Sequence, residues 1–219
     1  MRTQFLGVGL ALCSAMAQAQ SVQVIGDSIL VWNSWKDASI ADFLIDDFGE
    51  GVSKDAAAGA YLTNPSALGR LFGFDIRLQY EPRAWDWLVL DGGGNDLLSE
   101  CSCGACETVL DDLSSDDGRR GAMPDLVNEI RDTGTQVVLL GYFMPSVAGG
   151  PAASCAPELR VLNARYQAIA DRDVDVYFVN AAALIARDDL SLFDADLLHP
   201  SIAGSQILAD AIADIIREN

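Results

Sequence analysis

The chain contains a single histidine, His199, in the segment DLLHPS at 196–201, where an aspartate precedes it by three positions. At this spacing the Asp196 carboxylate can reach Nδ1 of the ring, which fixes the tautomer and leaves Nε2 as a base. His199 precedes a predicted closing helix, so we expect a loop that exposes the ring to a pocket. Asp194 lies farther from the histidine, and we expect it to be a solvated charge. A lone histidine that is only a satisfied polar residue is the alternative.

A serine that could serve such a base follows the first apolar run, in VIGDSIL at 24–30. Ser28 comes just after a predicted strand and a glycine, where a hydroxyl can act as a nucleophile. The alternative is that Ser28 only caps a helix. The chain contains no G-x-S-x-G sequence, so this turn is not the nucleophile elbow of an ordinary α/β-hydrolase.

Two glycine-containing segments could stabilise an oxyanion. GGGND at 92–96 follows a predicted strand, and Asn95 offers a neutral amide donor. This segment lacks the lysine of a P-loop, and Asp96 would repel phosphate. Gly59 could offer a backbone N–H where a side chain would collide with substrate, although a plain turn glycine is the alternative. With the N–H of Ser28, these donors complete a predicted serine hydrolase site.

Three aromatic residues lie near the mouth expected for such a site, namely Trp32, Trp35 and Tyr61. They could line an acyl pocket or stack on a sugar. Packing beneath a loop is the alternative.

The elements that must position these residues alternate between strand and helix. Apolar runs predict strands at 22–26, 135–142 and 174–180, a strand and turn at 51–59, and a strand that runs into a glycine turn at 85–96. Helical spacing predicts helices at 38–49, 123–134, 157–171 and 201–219. We expect a parallel sheet covered by helices on both faces, with the site outside the carboxyl ends of its strands. Asn95, Asp96 and Tyr142 follow such strands, as Ser28 does. The segment 65–80 is ambiguous, and 99–120 is expected to be an irregular surface excursion.

The polar segments occur in an order that resembles the SGNH hydrolase family, also called GDSL esterases and lipases. GDS at 26–28, Gly59, GGND at 93–96 and DLLHPS at 196–201 are similar to its four sequence blocks. The resemblance implies a flavodoxin-like three-layer α/β/α sandwich with a central parallel sheet. It also implies Ser28 as nucleophile, Asp196 and His199 as its partners, and Gly59 and Asn95 as oxyanion donors. No metal and no organic cofactor is required by this chemistry.

The expected activity is that of a serine esterase acting on a lipid, aryl or short-chain acyl ester through an acyl-enzyme. A carbohydrate O-acetyl esterase and a thioesterase are alternatives on the same fold. A non-catalytic binding module of this fold is the alternative outside enzymes. The expected partner is a small-molecule or glycan ester.

The N-terminal segment and the net charge of the chain indicate where the protein acts and what it avoids. Residues 1–19 combine Arg2, an apolar stretch and a small-x-small sequence, which predicts a secretory signal peptide followed by a single domain at 20–219. We therefore expect a secreted or periplasmic protein without stable membrane insertion. The net charge of −18 would repel nucleic acid and anionic lipid.

Four of the five cysteines lie beyond the predicted signal, at Cys101, Cys103, Cys106 and Cys155. An even number in an exported protein favours two disulfides. One bridge is expected to close a small loop within the cluster, and the other to reach Cys155. A zinc site made of the four thiolates is the alternative, although no second C-x-x-C pair is present.

Overall fold

The computed structural model describes residues 20–63, 69 and 73–219. The predicted signal peptide and part of the ambiguous segment 65–80 lie outside the described residues. The strands are β1 Val22–Ile25, β2 Val52–Lys54, β3 Trp87–Leu90, β4 Gln136–Leu140 and β5 Val176–Val179. They form a five-stranded sheet in the order β2-β1-β3-β4-β5, and all of its neighbours are parallel.

The central strands are mostly apolar, since both of their faces are covered. Every residue of β1 and β3 is buried, and only Gln136 of β4 is partly exposed. The edge strand β2 ends at the exposed Lys54. This pattern is typical of a parallel sheet between two helical layers.

Two sets of helices cover the sheet. The helices are α1 Ser28–Val31, α2 Ile40–Phe48, α3 Ile76–Gln79, α4 Gly94–Glu100, α5 Glu107–Leu113, α6 Ala122–Arg131, α7 Ala156–Ala170, α8 Ala181–Leu184 and α9 Ile202–Glu218. On one side α2 packs against α1 and α9, and on the other α6 packs against β4 and α7 against β5. The result is a three-layer α/β/α sandwich, as predicted.

The strand order of this sandwich reverses direction at β1. From β1 the chain goes outward to β2, and it then returns across β1 to β3, β4 and β5. In doubly wound sheets the loops that leave the strands on either side of such a switch point enclose a crevice. The loops after β1 and β3 lead into the helices whose first turns carry Ser28 and Asn95, respectively.

The expectation of an irregular surface excursion at 99–120 is wrong for Glu107–Leu113, while turns with many exposed residues flank this helix. The segment contains α5, whose residues Val109, Leu110 and Leu113 are buried. Their spacing places them on one face of a helix, and the acidic residues between them hid this pattern in the sequence. Arg165 of α7 fastens the segment, since its guanidinium contacts Asp111 at 2.9 Å and Asp116 at 2.6 Å.

Two disulfides cross-link the region that follows α4. Cys101 pairs with Cys106 and closes a small loop, while Cys103 pairs with Cys155, just before α7. All four thiols beyond the predicted signal are therefore used. The described residues hold no group of three or more His, Cys, Asp or Glu side chains arranged for a metal ion. Within the described part of the chain, no helix is long and apolar enough to cross a membrane.

Candidate active site

Ser28 lies where β1 ends and the chain turns into α1. Gly26 makes this turn with a φ of +146°, and a Cβ there would come within 1.9 Å of Asp91 Oδ1. Asp27 is the N-cap of α1, because its side chain accepts a hydrogen bond from Ile29 N over 2.9 Å. Ser28 is therefore the first helical residue and not the cap. Its backbone N–H has no acceptor among the described residues.

Ser28, His199 and Asp196 form one chain of hydrogen bonds. His199 Nε2 lies 2.8 Å from Ser28 Oγ, and His199 Nδ1 lies 2.6 Å from Asp196 Oδ2. An ionised carboxylate can only accept, so Nδ1 carries the ring proton and Nε2 can take the proton of the serine. Burial works to raise the pKa of Asp196, but hydrogen bonds from the His199 ring and from the backbone outweigh it. The pKa of Asp196 consequently lies below its usual value.

The loop that carries His199 is hydrogen-bonded to the turn that follows α1. Asn33 adopts a left-handed conformation with a φ of 71°, and its buried amide donates to the carbonyl of Pro200 over 3.1 Å. Within the loop, Asp194 N donates to the carbonyl of His199 over 2.9 Å. Segments from opposite ends of the chain are thereby joined beside the histidine.

Asn95 lies in the first turn of α4 and points one amide hydrogen at a neighbouring loop. Its Nδ2 donates to the carbonyl of Ala60 over 2.9 Å, which leaves the second amide hydrogen available. Gly59, the preceding residue, has a φ of +83°, and its N–H has no acceptor in the described part of the chain. A Cβ at Gly59 would meet only Phe74 Cε1 at 4.0 Å, so backbone conformation and not lack of space favours glycine.

Asp96, the neighbour of Asn95, holds the same loop. Its carboxylate accepts hydrogen bonds from Leu62 N at 3.1 Å and from Thr63 N at 2.8 Å. Since Asp96 is fully buried, these bonds replace its lost hydration. Asp96 therefore fixes the loop of Gly59 against α4.

A buried polar network beneath Ser28 joins the ends of β1, β3 and β4. The Tyr142 hydroxyl donates to Asp27 Oδ2 over 2.6 Å and accepts from Gly94 N over 2.9 Å. Asp91 Oδ1 accepts from Asp27 N over 2.7 Å. Burial raises the pKa of Asp27 and of Asp91, and the nearby Asp27 charge raises the pKa of Asp91 further. Burial likewise raises the pKa of Tyr142, which stays a donor.

An apolar cavity of about 50 Å³ lies beside the serine hydroxyl. Its polar side is formed by Ser28, Asn95 and His199. Asp27 and Tyr142 also reach it, and the apolar part of the wall includes Leu98, Phe143, Pro145, Ala152, Leu159, Leu197 and Leu198. Cys155 also lines it, which places the Cys103–Cys155 disulfide in the wall.

The three predicted aromatic residues occupy different places. Trp32 stacks on the His199 ring with centroids 3.5 Å apart and planes 7° apart, and its indole N–H donates to Asp194 over 2.5 Å. The expectation that Asp194 is merely solvated is therefore wrong. Trp35 is 62% exposed and meets Trp32 edge-on, with centroids 5.2 Å apart. Tyr61 does not belong to the described wall of the cavity.

Asp91 and Phe143 were not predicted from the sequence. Asp91 directly follows the apolar strand β3, and an acidic residue at that position was the available signal. Phe143 follows Tyr142 in an apolar stretch, where nothing distinguishes a residue of the cavity wall from one of the core.

A three-layer α/β/α sandwich with Ser28, His199 and Asp196 joined at the carboxyl ends of its strands defines the SGNH class of hydrolases. The sequence model of the GDSL-like lipase/acylhydrolase family matches residues 24–207, and the chain belongs to this family. The family places the chain among ester-hydrolysing enzymes. A search of curated proteins found no match.

Solved structures share this fold. A protein from Slackia heliotrinireducens, described provisionally as an SGNH hydrolase, is 22% identical with a TM-score of 0.62 over 91% of this chain and 100% of that one. The carbohydrate acetylesterase Est24 of Sinorhizobium meliloti is 16% identical with a TM-score of 0.62 over 91% and 99%. The aryl esterase of M. smegmatis is 15% identical with a TM-score of 0.63, again over 91% and 99%.

Proposed function

We propose that the chain is an exported serine esterase that hydrolyses esters of short carboxylic acids through an acyl-enzyme on Ser28. The observation that carries this proposal is the continuous chain from Ser28 Oγ through His199 to Asp196, with distances of 2.8 Å and 2.6 Å. Ser28 lines an apolar cavity, where a bound acyl group would face the serine hydroxyl.

The reaction proceeds by two proton-coupled acyl transfers. His199 Nε2 takes the proton of Ser28 as the hydroxyl oxygen attacks the ester carbonyl. The tetrahedral intermediate collapses, and the imidazolium returns the proton to the departing alcohol oxygen. A water molecule then gives its proton to His199 while it attacks the acyl-enzyme, and the proton passes back to Ser28 as the acid leaves.

Three donors hold the oxyanion in both steps, namely the N–H of Ser28, the N–H of Gly59 and the second amide hydrogen of Asn95. Each of these groups lacks an acceptor among the described residues, so none must break another hydrogen bond to serve. Donors that are fixed before the reaction stabilise developing charge without reorganisation.

The volume of the cavity sets the size of the acyl group. A water molecule needs on the order of 10–15 Å³ of such space, so a cavity of about 50 Å³ accommodates a few heavy atoms. The wall is built from residues of three helices and of the loops that follow β1 and β4 and carry His199, and the Cys103–Cys155 disulfide fixes part of it. Acetate, propionate and butyrate esters are therefore the expected substrates, and long-chain lipids are not.

A carbohydrate O-acetyl esterase is the second candidate, and one observation favours it. Trp35 is 62% exposed and meets Trp32, the residue that stacks on His199, and an exposed indole is a platform for a sugar ring or an aryl group. Est24, which shares the fold, is described as a carbohydrate acetylesterase. The alcohol of the substrate would then rest on Trp35, outside the acyl cavity.

Export of the enzyme is proposed on two grounds. Residues 1–19 have the composition of a secretory signal, and two disulfides cross-link the described residues, one of them in the wall of the cavity. Disulfides persist outside the reducing cytosol.

Purified protein should be assayed with p-nitrophenyl acetate, butyrate and octanoate and with an acetylated xylo-oligosaccharide. We expect Ser28→Ala to lose nearly all activity, with a residual rate of about 10³ over water, and octanoate to be the poorest substrate of the parent. Ser205→Ala is the matched control, since this serine is buried in α9 away from the cavity. Undiminished hydrolysis by Ser28→Ala would refute the proposal.

A further inference from the structure

The indole of Trp32 covers one face of the proposed base. Its plane is within 7° of the His199 plane, and the ring centroids are 3.5 Å apart. Such a parallel contact covers a ring face that would otherwise be hydrated. Trp32 is therefore in direct contact with the His199 ring.

Trp32 is itself held at both ends. Its backbone N–H donates to the carbonyl of Ser28 over 2.8 Å, so its position is tied to the turn of the nucleophile. Its indole N–H donates to Asp194 Oδ2 over 2.5 Å. The other oxygen of Asp194 accepts from Ala195 N over 2.7 Å. An ionised carboxylate accepts at both oxygens, whereas an asparagine side chain at position 194 could accept at only one.

We propose that Trp32, oriented and polarised by Asp194, is a positioning residue that stabilises the protonated ring of His199 during acyl transfer. An aromatic face attracts a cation through its quadrupole, and indole does so most strongly. A carboxylate that accepts the indole N–H pushes electron density into that face. The effect appears only when the imidazole becomes an imidazolium, so it favours the transition state over the ground state.

This proposal rests on the proposed function, because it needs His199 to accept a proton. Other charges also face the ring. Asp196 contacts Nδ1 from the same loop, and Asp27 acts on His199 from the turn after β1. Both remain when Asp194 or Trp32 is changed, so the variants isolate the contribution that passes through the indole.

Four proteins test the proposal: the parent, Asp194→Asn, Trp32→Phe and the double variant, each assayed with p-nitrophenyl acetate over a range of pH. We expect Asp194→Asn to lower kcat by roughly 3- to 30-fold, the factor that cation–π energies represent, with KM unchanged. The acidic limb of its kcat/KM profile, which reports protonation of the essential base, should move to lower pH. In the Trp32→Phe background, Asp194→Asn should have little further effect.

The control is Asp188→Asn, which removes an equal charge from an exposed position and should leave kcat and the profile unchanged. Near-parental thermal unfolding of Asp194→Asn shows that the fold is retained. A rise in KM at constant kcat would instead make Trp32 a substrate platform and overturn the proposal. So would an Asp194→Asn effect of full size in the Trp32→Phe background. If Ser28→Ala retains activity, the proposed function fails first, and that result is distinct from either of these.

Discussion

The hydroxyl of Tyr142 donates a 2.6 Å hydrogen bond to Asp27, the residue that caps the helix of the proposed nucleophile. Tyr142 follows β4 and Asp27 follows β1, and these two strands are separated in the sheet by β3. The Tyr142 hydroxyl bridges this gap, because it also accepts a hydrogen bond from the N–H of Gly94, which follows β3. The loops of three strands are thus fixed to one phenol beneath the site.

Replacing Tyr142 by Phe should loosen all three loops. Asp27 and the N–H of Gly94 would both lose a buried partner, which costs about 1–3 kcal/mol of the free energy of unfolding. We also expect kcat to fall, since Ser28 and Asn95 adjoin the freed groups. Urea unfolding and p-nitrophenyl acetate kinetics measure the two effects. Tyr80→Phe, a buried tyrosine whose hydroxyl faces Thr133, is the control, and an equal loss of kcat in both variants would contradict this account.

Asp91→Asn should change how stability depends on pH. Burial and the Asp27 charge hold the pKa of Asp91 well above its usual value, so above ~3.9 the native state binds more protons than the unfolded chain. Stability from this group is complete below that pH and is lost as pH rises through the raised pKa. As the pH rises above about 3.9, the free energy of unfolding of the parent should therefore decline more steeply than that of Asp91→Asn. If urea titrations give parallel curves of unfolding free energy against pH for the two proteins, the pKa of Asp91 is not raised in the native state.

Asn95→Ala should separate oxyanion stabilisation from substrate binding. The variant removes the one side-chain donor proposed for the oxyanion, and losing such a donor typically costs about 10²–10³ in kcat. KM should change little, because the ester carbonyl of the ground state carries less charge than the transition state. Steady-state kinetics on p-nitrophenyl acetate give both constants. A rise in KM alone would mean that Asn95 binds substrate and does not stabilise charge.

The Cys103–Cys155 disulfide should restrict the length of the acyl chain. Cys155 lines the cavity and its partner Cys103 belongs to the loop after α4. Replacing both cysteines by Ser should therefore make the wall of the cavity more flexible. Activity on p-nitrophenyl octanoate should rise relative to acetate. The free energy of unfolding should fall by about 4 kcal/mol, the loop-entropy value for a bridge of sequence separation 52.

The second disulfide provides a matched control for this effect. Cys101 and Cys106 are only 5 positions apart, and neither is among the described residues that line the cavity. Replacing this pair by Ser should cost about 2 kcal/mol and leave the octanoate-to-acetate ratio unchanged. Equal changes of selectivity in both double variants would show that the bridge to Cys155 has no special role in the wall.

Much of the fold was accessible from sequence because its signals are local. The apolar runs of β1 and β3 predicted buried strands, and the spacing in α9 predicted a closing helix. Ser28 and Asn95 were predicted because each follows a predicted strand at a place where parallel sheets expose polar groups, and His199 because it is the single histidine, three positions after Asp196. Their mutual distances depend on strand register, which no single segment encodes.

What the sequence could not predict are contacts made across the fold. Trp32 and Asp194 are 162 positions apart, and neither segment alone indicates that an indole would lie on the histidine ring. The pKa of Asp91 is raised by burial beside Asp27, and this proximity depends on how β1 and β3 pair. Helix α5 was missed because its acidic residues mask a three-residue apolar face.

The central claim is that one serine of this chain becomes a nucleophile, and covalent labelling tests it most directly. Purified protein is incubated with a fluorophosphonate, and the adduct is located by mass spectrometry of the proteolysed chain. We predict a single adduct on Ser28, formed far more slowly in His199→Ala and not formed in Ser28→Ala. An ester-hydrolysing preparation that takes up no label on Ser28, or labels a different residue at the rate of inactivation, would contradict the account.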